Sequence, residues 1–393
     1  MVTSWSIGRA QDQAPEQPAG PTETQRDRTR AILAWKESSW EPTTGKLGAA
    51  ITQLERAVAN SPDQRDPTLD FLLGLSLLKS GRGDAARPLL DRAHRAAPNF
   101  SGFLLVDGVT LQLEERHGAA AEAFRRFLAD ADGLERVGAI ATELTFLARV
   151  HHGQSLIDSG SGDEGIALLA EALAQSERDH GSPSVTCKVL LANAYSKQKE
   201  FGIAEALLAE VLRDDPWNPL HHYHRGIVAA DQEDTDGAIR WFSAAVERSP
   251  GFAEPYAKLA YLAHSDRRLD DAYRYLETYA SLTGIGLDGA AGSTASPNTK
   301  ADVHAGFGAY WMSVANARLD DGDPEGRVRA LRNAATAFRA ALEFRRDCVK
   351  SLDALIQILY QLGEGEDERN EYADRIQELQ EELDAAPTRS TFC

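Results

Sequence analysis

The sequence predicts an all-α fold, a right-handed α-solenoid of stacked helix-turn-helix hairpins that ends in a C-terminal capping helix. Two series of small residues carry this prediction, because the members of each run are 34 residues apart. The first series is Gly74, Gly108 and then Ala192, Gly226, Ala260; the second is Ala86, Ala120 and then Ala204, Ala238, Ala272. A fixed period of this length is typical of helical hairpins that stack on one another.

One unit is shown most fully by residues 66–100. Its defining residues are, in order, Leu73-Gly74, Leu77, the turn 80–84, Ala86, Leu90, Ala93 and Pro98. Small side chains at Gly74 and Ala86 allow two antiparallel helices to approach closely, while larger neighbours fill the grooves beside them. Proline cannot continue a helix, so Pro98 separates this hairpin from the next.

This pattern resembles the tetratricopeptide repeat, in which L-G-x-x-Y is followed by A-x-x-x-F and then by P. Similar units recur over most of the segment from Thr22 to Arg346. Five or more copies in phase favour this family over a generic bundle of alanine-rich helices, which would show no such period. The resemblance implies that the first helix of each hairpin lines an inner groove.

The composition divides the chain into five segments. Residues 1–21 are rich in Gln, Pro, Ala and Gly, and we expect them to be disordered. Residues 22–281 form the solenoid, and the glycine-rich residues 282–300 form a flexible linker or long loop. Residues 301–385 form a terminal hairpin and an acidic capping helix, and residues 386–393 form a tail.

The last predicted helix, Glu366 to Ala385, has two interpretations. Its apolar residues form a narrow stripe, which consists of Tyr372, Ile376, Leu379 and Leu383. Terminal repeats need a cap over their exposed apolar face, so the first interpretation is a capping helix. The second is a coiled-coil seam that forms a homodimer, although a seam usually needs more heptads than this helix has.

Charge and cysteine content restrict the partners and the compartment. The formal net charge of −18 argues against binding to nucleic acid or to an anionic membrane surface, and it permits a basic partner. No window is apolar enough to cross a membrane, and the N-terminus lacks the apolar run of a signal peptide. The three cysteines form no CxxC pair, so we expect a reducing compartment, the cytoplasm. Arginine greatly outnumbers lysine, which is typical of a GC-rich bacterial genome.

No motif in the sequence predicts catalysis, and we expect no enzyme activity, no cofactor and no metal. The chain has no glycine-rich phosphate loop, no G-x-S-x-G and no H-E-x-x-H. Its histidine clusters are His151-His152 and His221-His222-x-His224. Adjacent histidines on a helix point in different directions, so they do not converge on one ion. His152 stands where the repeat usually has Leu, which predicts a packed core residue.

The resemblance also implies which residues face the groove. Carried onto this chain, those positions and the nearby polar ones are Phe71, Leu75, Leu105, Val109, Leu147, Val150, Ile157, Val189, Asn193, Leu220, Tyr223, Ile227, Lys258 and Tyr261. An exposed apolar patch of this kind usually marks a contact site. The groove could take a partner peptide, or it could be filled by the chain's own N-terminus.

Some members of the family bind a C-terminal carboxylate with a Lys/Asn/Asn/Lys/Arg clamp. The corresponding residues here are Val189, Asn193, His224, Glu254 and Lys258. Only Asn193 and Lys258 fit that clamp, and Glu254 would repel a carboxylate. The sequence therefore favours a non-catalytic scaffold or adaptor that binds a partner peptide or helix in an apolar groove. The alternative is an accessory subunit of an enzyme or secretion assembly, bound through the convex face or the last helix.

Overall fold

The computed structural model describes residues 22–40, 44–61, 66–130, 140–285 and 297–385. These residues contain eighteen α-helices and no β-strand. They group into two compact units, residues 1–106 with 132–144 and residues 107–131 with 145–393. The predicted disordered segment 1–21 and the tail 386–393 lie outside the described residues.

The first unit contains two complete hairpins. Its helices are α1 (Glu23–Trp40), α2 (Thr44–Ala59), α3 (Pro67–Lys79) and α4 (Gly83–Ala96), followed by the first part of α5 (Gly102–Leu113). Asp66 caps α3 by accepting a hydrogen bond from the Thr68 amide (2.9 Å), and Pro67 occupies the first helical position. Both features are favoured at helix N-termini, so the sequence itself determines where this helix begins.

The second unit begins in the chain at Asp107, within α5. Its helices are α6 (His117–Ala129), α7 (Ala141–Asp158, which begins in the first unit), α8 (Gly162–His180), α9 (Val185–Lys197), α10 (Phe201–Asp214), α11 (Pro219–Asp231), α12 (Thr235–Arg248), α13 (Ala253–Ser265), α14 (Leu269–Thr283), α15 (Pro297–Asp320), α16 (Pro324–Phe344), α17 (Val349–Leu362) and α18 (Glu366–Ala385). From α9 onward each helix packs on the next, and α9 also contacts α11. The predicted all-α class of stacked hairpins is confirmed.

The periodic glycines lie where the two helices of a hairpin touch. A Cβ added to Gly74 would lie 2.6 Å from Cγ of Leu90, and one added to Gly226 would lie 2.5 Å from Cε1 of Phe242. The prediction of close approach at these positions is confirmed. In both hairpins the large side chain of the second helix lies directly against the glycine. The expectation that Leu90 fills a groove to one side of Gly74 is therefore wrong.

The hairpin turns share a second repeated feature, which the series of small residues does not predict. In several of the described turns one residue has a positive φ, as in Lys199 (64°), Glu233 (63°) and Arg267 (59°), which are again 34 residues apart. Glycine occupies the matching position at Gly81. The left-handed residue lets the next amide bond back to the first helix, as Asp234 N does to Ala229 O at 2.9 Å.

The predicted linker 282–300 is shorter in the structure. Helix α14 continues to Thr283 and ends at Gly284, whose left-handed backbone (φ 68°) caps it. Helix α15 begins at Pro297, so residues 297–300 are helical. The linker boundary at residue 300 is therefore wrong. Residues 286–296 lie outside the described part of the chain.

Helix α18 covers the end of the stack. Leu379 is buried in a cluster with Leu352, Leu355 and Leu359, and Tyr372 and Ile376 pack against the same cluster. Arg339 of α16 also holds α18, because its Nε and Nη2 donate to the two carboxylate oxygens of Glu368 at 2.7 and 2.8 Å. The capping interpretation is confirmed, since Tyr372, Ile376 and Leu379 of the apolar stripe pack into the chain's own core.

Candidate functional site

A cleft of about 360 Å³ opens in the second unit among α11, α13, α14 and α15. We call it the inner cleft. It is lined by Tyr223, Glu254, Ala257, Lys258, Ala260, Tyr261, His264, Leu276, Tyr279, Asp302, Gly306 and Ala309. The small residues Ala257, Gly306 and Ala309 leave room between the helices, and most of the larger lining residues are tyrosines or charged. Three predicted site residues, Tyr223, Lys258 and Tyr261, meet here.

The two predicted tyrosines differ in exposure. The Tyr261 side chain is 70% exposed and projects from α13. Tyr223 is half-buried, and its ring lies 5.7 Å from the ring of Phe242 and 5.4 Å from that of Phe252. Burial, with help from Glu254 and Tyr279, raises the pKa of Tyr223 to about 12. The expectation that both tyrosines face solvent is wrong for Tyr223, which belongs to the hairpin core on one side.

The charged residues of the cleft are not neutralised in pairs. Lys258 has no carboxylate within 4.0 Å among the described residues. Asp302 remains in contact with solvent, yet its pKa is raised because the surrounding protein desolvates the carboxylate and because Glu115 repels it. Arg345 and Lys258 act in the opposite direction. The cleft therefore presents both an available cation and a solvent-exposed carboxylate whose pKa is raised.

Part of the inner face is used to hold neighbouring hairpins together. Asn193 of α9 lies 3.1 Å from Nδ1 of His224 in α11, and Ser196 donates to Asp231 at 2.6 Å. Burial lowers the pKa of His224 to about 4, so its ring is neutral near pH 7 and Nδ1 can accept the Asn193 amide proton. These two residues of the predicted clamp therefore bind each other.

The turn between α5 and α6 is bonded to the start of α15, the helix that contributes Asp302 to the cleft. In that turn Glu115 accepts hydrogen bonds from Asn298 at the start of α15 and from Arg345 after α16, the latter at 3.5 Å. These contacts join residues that are 183 and 230 positions apart, all within the second unit. They explain why Glu115 and Arg345 both influence the pKa of Asp302.

Most of the apolar residues that we expected in the groove are buried instead. At most 9% of the side chain is exposed for Phe71, Leu75, Leu105, Val109, Leu147, Val150, Ile157 and Val189. Phe71 packs edge-on against Phe100 (4.8 Å between ring centroids), and Val189 shares a core cluster with Leu208 and Val228. The expectation of a continuous apolar surface is wrong at these positions. Ile227 also packs against a core cluster, whereas Leu220 is 45% exposed.

Nine of the twelve lining residues were missing from the predicted site, among them Leu276, Tyr279, Asp302 and His264. Tyr279 and Leu276 come from α14, the second helix of its hairpin, and Asp302 lies two residues after the predicted linker boundary at residue 300. His264 bonds to Ser313 through Nε2 at 2.8 Å. Only the i, i+3 spacing of Tyr261 and His264 on α13 could have indicated His264 from the sequence.

The histidine clusters are packing residues in this structure. His152, His221 and His222 are each at most 8% exposed, which confirms the prediction for His152. Within the described residues, no three His, Cys, Asp or Glu side chains are placed to hold a metal ion. The same part of the chain has no helix with the length and apolar character needed to cross a membrane.

Comparison with known families shows a match to the tetratricopeptide repeat in three segments, residues 43–100, 71–136 and 189–251. These segments contain most of the small residues that recur at 34-residue intervals. No curated protein sequence matches the chain at a significant level.

Solved structures that are similar to this chain share little sequence identity with it. The crystal structure of the APC/C hetero-tetramer Cut9-Hcn1 is similar at 15% identity and a TM-score of 0.53, over 86% of this chain and 56% of that one. This chain thus spans little more than half of that protein. Two other structures have lower TM-scores. A human IFIT1 dimer with m7Gppp-AAAA has 18% sequence identity and a TM-score of 0.45, over 92% of this chain and 83% of that one. A tetratricopeptide repeat protein from Parabacteroides merdae has 12% identity and a TM-score of 0.43, over 85% of this chain and 99% of that one.

Proposed function

Because the chain is a tetratricopeptide-repeat protein, we propose that it is a non-catalytic scaffold that binds a segment of a partner protein in the inner cleft. Stacked repeats offer long inner surfaces for such contacts. The observation that carries the proposal is Tyr261, an exposed tyrosine that lines a cleft instead of packing into the core. Tyrosine is favoured at binding surfaces because it offers a large apolar area and a hydroxyl with little entropy to lose.

The other cleft residues indicate how recognition would work. Lys258 is available to a carboxylate of the partner, and Asp302 and Glu254 are available to its amide or cationic groups. Because most predicted apolar groove residues are buried, specificity would come from these polar groups and the tyrosines, not from a continuous apolar surface. The partner is therefore a polar segment with an apolar or aromatic anchor for Tyr261.

A matched pair of variants tests this proposal. Tyr261→Ala removes an exposed tyrosine from the cleft, while Tyr360→Ala removes one of similar exposure (76%) from α17. Partners are captured on the wild-type protein from the source cells, identified by mass spectrometry, and then measured one by one with purified components. We expect Tyr261→Ala to weaken binding by about 2 kcal/mol, roughly 30-fold, with an unchanged melting temperature.

The control variant also tests the alternative function. Tyr360 lies under Arg369 of α18 (5.7 Å), so it marks the surface near the capping helix. If Tyr360→Ala loses the partners and Tyr261→Ala keeps them, the protein is an accessory subunit bound through its C-terminal helices. Equal binding by both variants and the wild type would contradict the inner-cleft proposal outright.

A further inference from the structure

A second surface of the same unit has the composition of a binding site. Trp217 lies in the loop between α10 and α11 and is 76% exposed. The loop is held in place, because Asn218 accepts from the Leu220 amide at 3.1 Å and donates to Asp215 at 3.3 Å. Pro219 then begins α11. A large indole is thus presented to solvent from a fixed backbone, although burying it would be favourable.

Two arginines lie over indole rings beside this loop. The guanidinium of Arg248 is 5.6 Å from the centroid of Trp217, and that of Arg225 is 5.3 Å from the centroid of Trp241. Their hydrogen bonds go to backbone carbonyls, those of Pro216 and Ala244 for Arg248 and that of Glu205 for Arg225.

Neither of these arginines has a carboxylate within 4.0 Å in the described part of the chain. A guanidinium has five N–H donors, so several donors of each remain available. The arrangement contrasts with Arg339, which is paired with Glu368 in the same unit. Two guanidinium groups are thus stacked on indole rings without a carboxylate partner, in a chain of net charge −18.

His222 connects the two stacked pairs. Its Nε2 donates to the Pro216 carbonyl at 2.9 Å, the same oxygen that accepts from Arg248 Nε at 3.4 Å, and its ring lies 5.6 Å from that of Trp241. The side chain is 5% exposed, and Nδ1 has no hydrogen-bond partner among the described atoms. Trp217, His222, Arg225, Trp241 and Arg248 therefore form one connected cluster, which we call the Trp–Arg patch.

The Trp–Arg patch is separate from the inner cleft. Arg225 follows Tyr223 by two residues, and with 3.6 residues per turn this places the two side chains about 200° apart around α11. No residue of the patch lines the cleft. One helix thus presents a different surface on each side.

We propose that the Trp–Arg patch is a second docking surface, and that it takes an acidic segment of a partner protein. Carboxylates of that segment would bind the free donors of Arg225 and Arg248, and a neighbouring apolar side chain would cover Trp217. Charge-assisted and bidentate bonds to arginine are the strong ones, and Trp and Arg are the residues most enriched at binding hot spots. A long polyanion is disfavoured by the net charge of the whole chain, which leaves a short acidic segment as the occupant.

The test follows the indole N–H signals of the full-length protein, 15N-labelled at tryptophan, during titration with synthetic peptides. The probe has four Glu-Glu-Leu repeats, and the controls replace Glu by Gln or by Lys. Trp217→Phe and Trp241→Phe assign the two signals. We expect the Glu peptide to shift both signals, the Gln and Lys peptides to leave them in place, and added salt to weaken the effect.

Variants decide whether the patch itself is responsible. The double variant Arg225→Gln with Arg248→Gln should weaken binding of the Glu peptide by about tenfold or more. Trp217→Ala, whose side chain is exposed and so does not threaten the fold, should also weaken it, and Tyr261→Ala should bind as the wild type does. The proposal is overturned if the Trp217 signal does not move up to about 1 mM peptide, if the Gln peptide acts equally, or if the arginine variant binds normally. The Tyr261→Ala result keeps this test independent of the inner cleft.

Discussion

Gly226→Ala should destabilise the second unit, although alanine is the better helix former. The added Cβ would lie 2.5 Å from Cε1 and 2.6 Å from Cδ1 of Phe242, whereas carbon atoms in contact are normally about 3.5–4.0 Å apart. Phe242 is 1% exposed and also packs against Tyr223, so its ring cannot move away freely. Helices α11 and α12 would therefore have to separate by about 1 Å.

The expected loss of stability in Gly226→Ala follows from two opposing free-energy terms. Overpacking costs ~1–3 kcal/mol, and replacing glycine by alanine in a helix returns at most ~1 kcal/mol. If the full helix gain is realised, the net loss is ~0–2 kcal/mol for alanine, and Gly226→Leu should cost more. In a thermal melt followed by circular dichroism, each kcal/mol lowers the melting temperature by about 2–4 °C.

Gly202→Ala is the matched control, because nothing lies within 4 Å of the Cβ it would add to α10. Its melting temperature should stay the same or rise slightly. Phe242→Leu combined with Gly226→Ala should lose at least ~1 kcal/mol less than the sum of the two single changes, since the smaller side chain relieves the contact. If Gly226→Ala and Gly202→Ala melt at the same temperature, the helices do not approach each other at Gly226 and the hairpin register is wrong.

Three further predictions follow from the same contacts. Tyr223→Ala should lower stability by ~1–3 kcal/mol, because it removes ring contacts with Phe242. An unchanged melting temperature would mean that Tyr223 does not pack against Phe242. The free energy of unfolding should fall by at most ~3 kcal/mol as the pH drops from 6.5 to about 4, because the unfolded chain protonates His224 while the folded protein keeps it neutral. In denaturant melts at a series of pH values, His224→Gln should make the unfolding free energy less dependent on pH over this range. Arg339→Ala should loosen α18 and speed its removal by limited proteolysis, whereas Arg375→Ala, which pairs with Glu378 of the same helix, should not.

The hairpins could be predicted from the sequence because close helix packing restricts the residue at one position. Gly74 and Gly226 face Leu90 and Phe242, so almost any larger side chain is excluded and the period survives in the sequence. The turns are less restricted. Glu233 and Arg267 adopt the left-handed backbone at about the same φ as Gly81, so the chemical type at that position does not reveal the turn.

The inner cleft could be predicted only in part, for a geometric reason. Positions on the first helix of a hairpin either face the groove or pack against the next hairpin, and both kinds recur with the same helical period. Val189 packs in a core cluster, whereas Tyr261 faces the cleft. Asp302 and Glu115 are 187 positions apart in the chain, and only the way the second unit folds brings their charges together.

The burial of the predicted apolar groove changes what kind of binding the repeat stack can support. If Val109, Val150 and Val189 had lined the cleft, affinity would have come mainly from apolar area, and selectivity would have been low. Their burial leaves Tyr261, Lys258, Glu254 and Asp302 as the contact groups. Charged groups discriminate among partners because each one left unpaired in a complex carries a desolvation penalty. The inner cleft should therefore reject most segments that collide with Lys258 or Asp302, and a modest affinity there is compatible with specific recognition. Any gain in affinity would come from a second contact on the same partner, and the opposite side of α11 presents one at the Trp–Arg patch, because two linked sites bind more tightly than either alone.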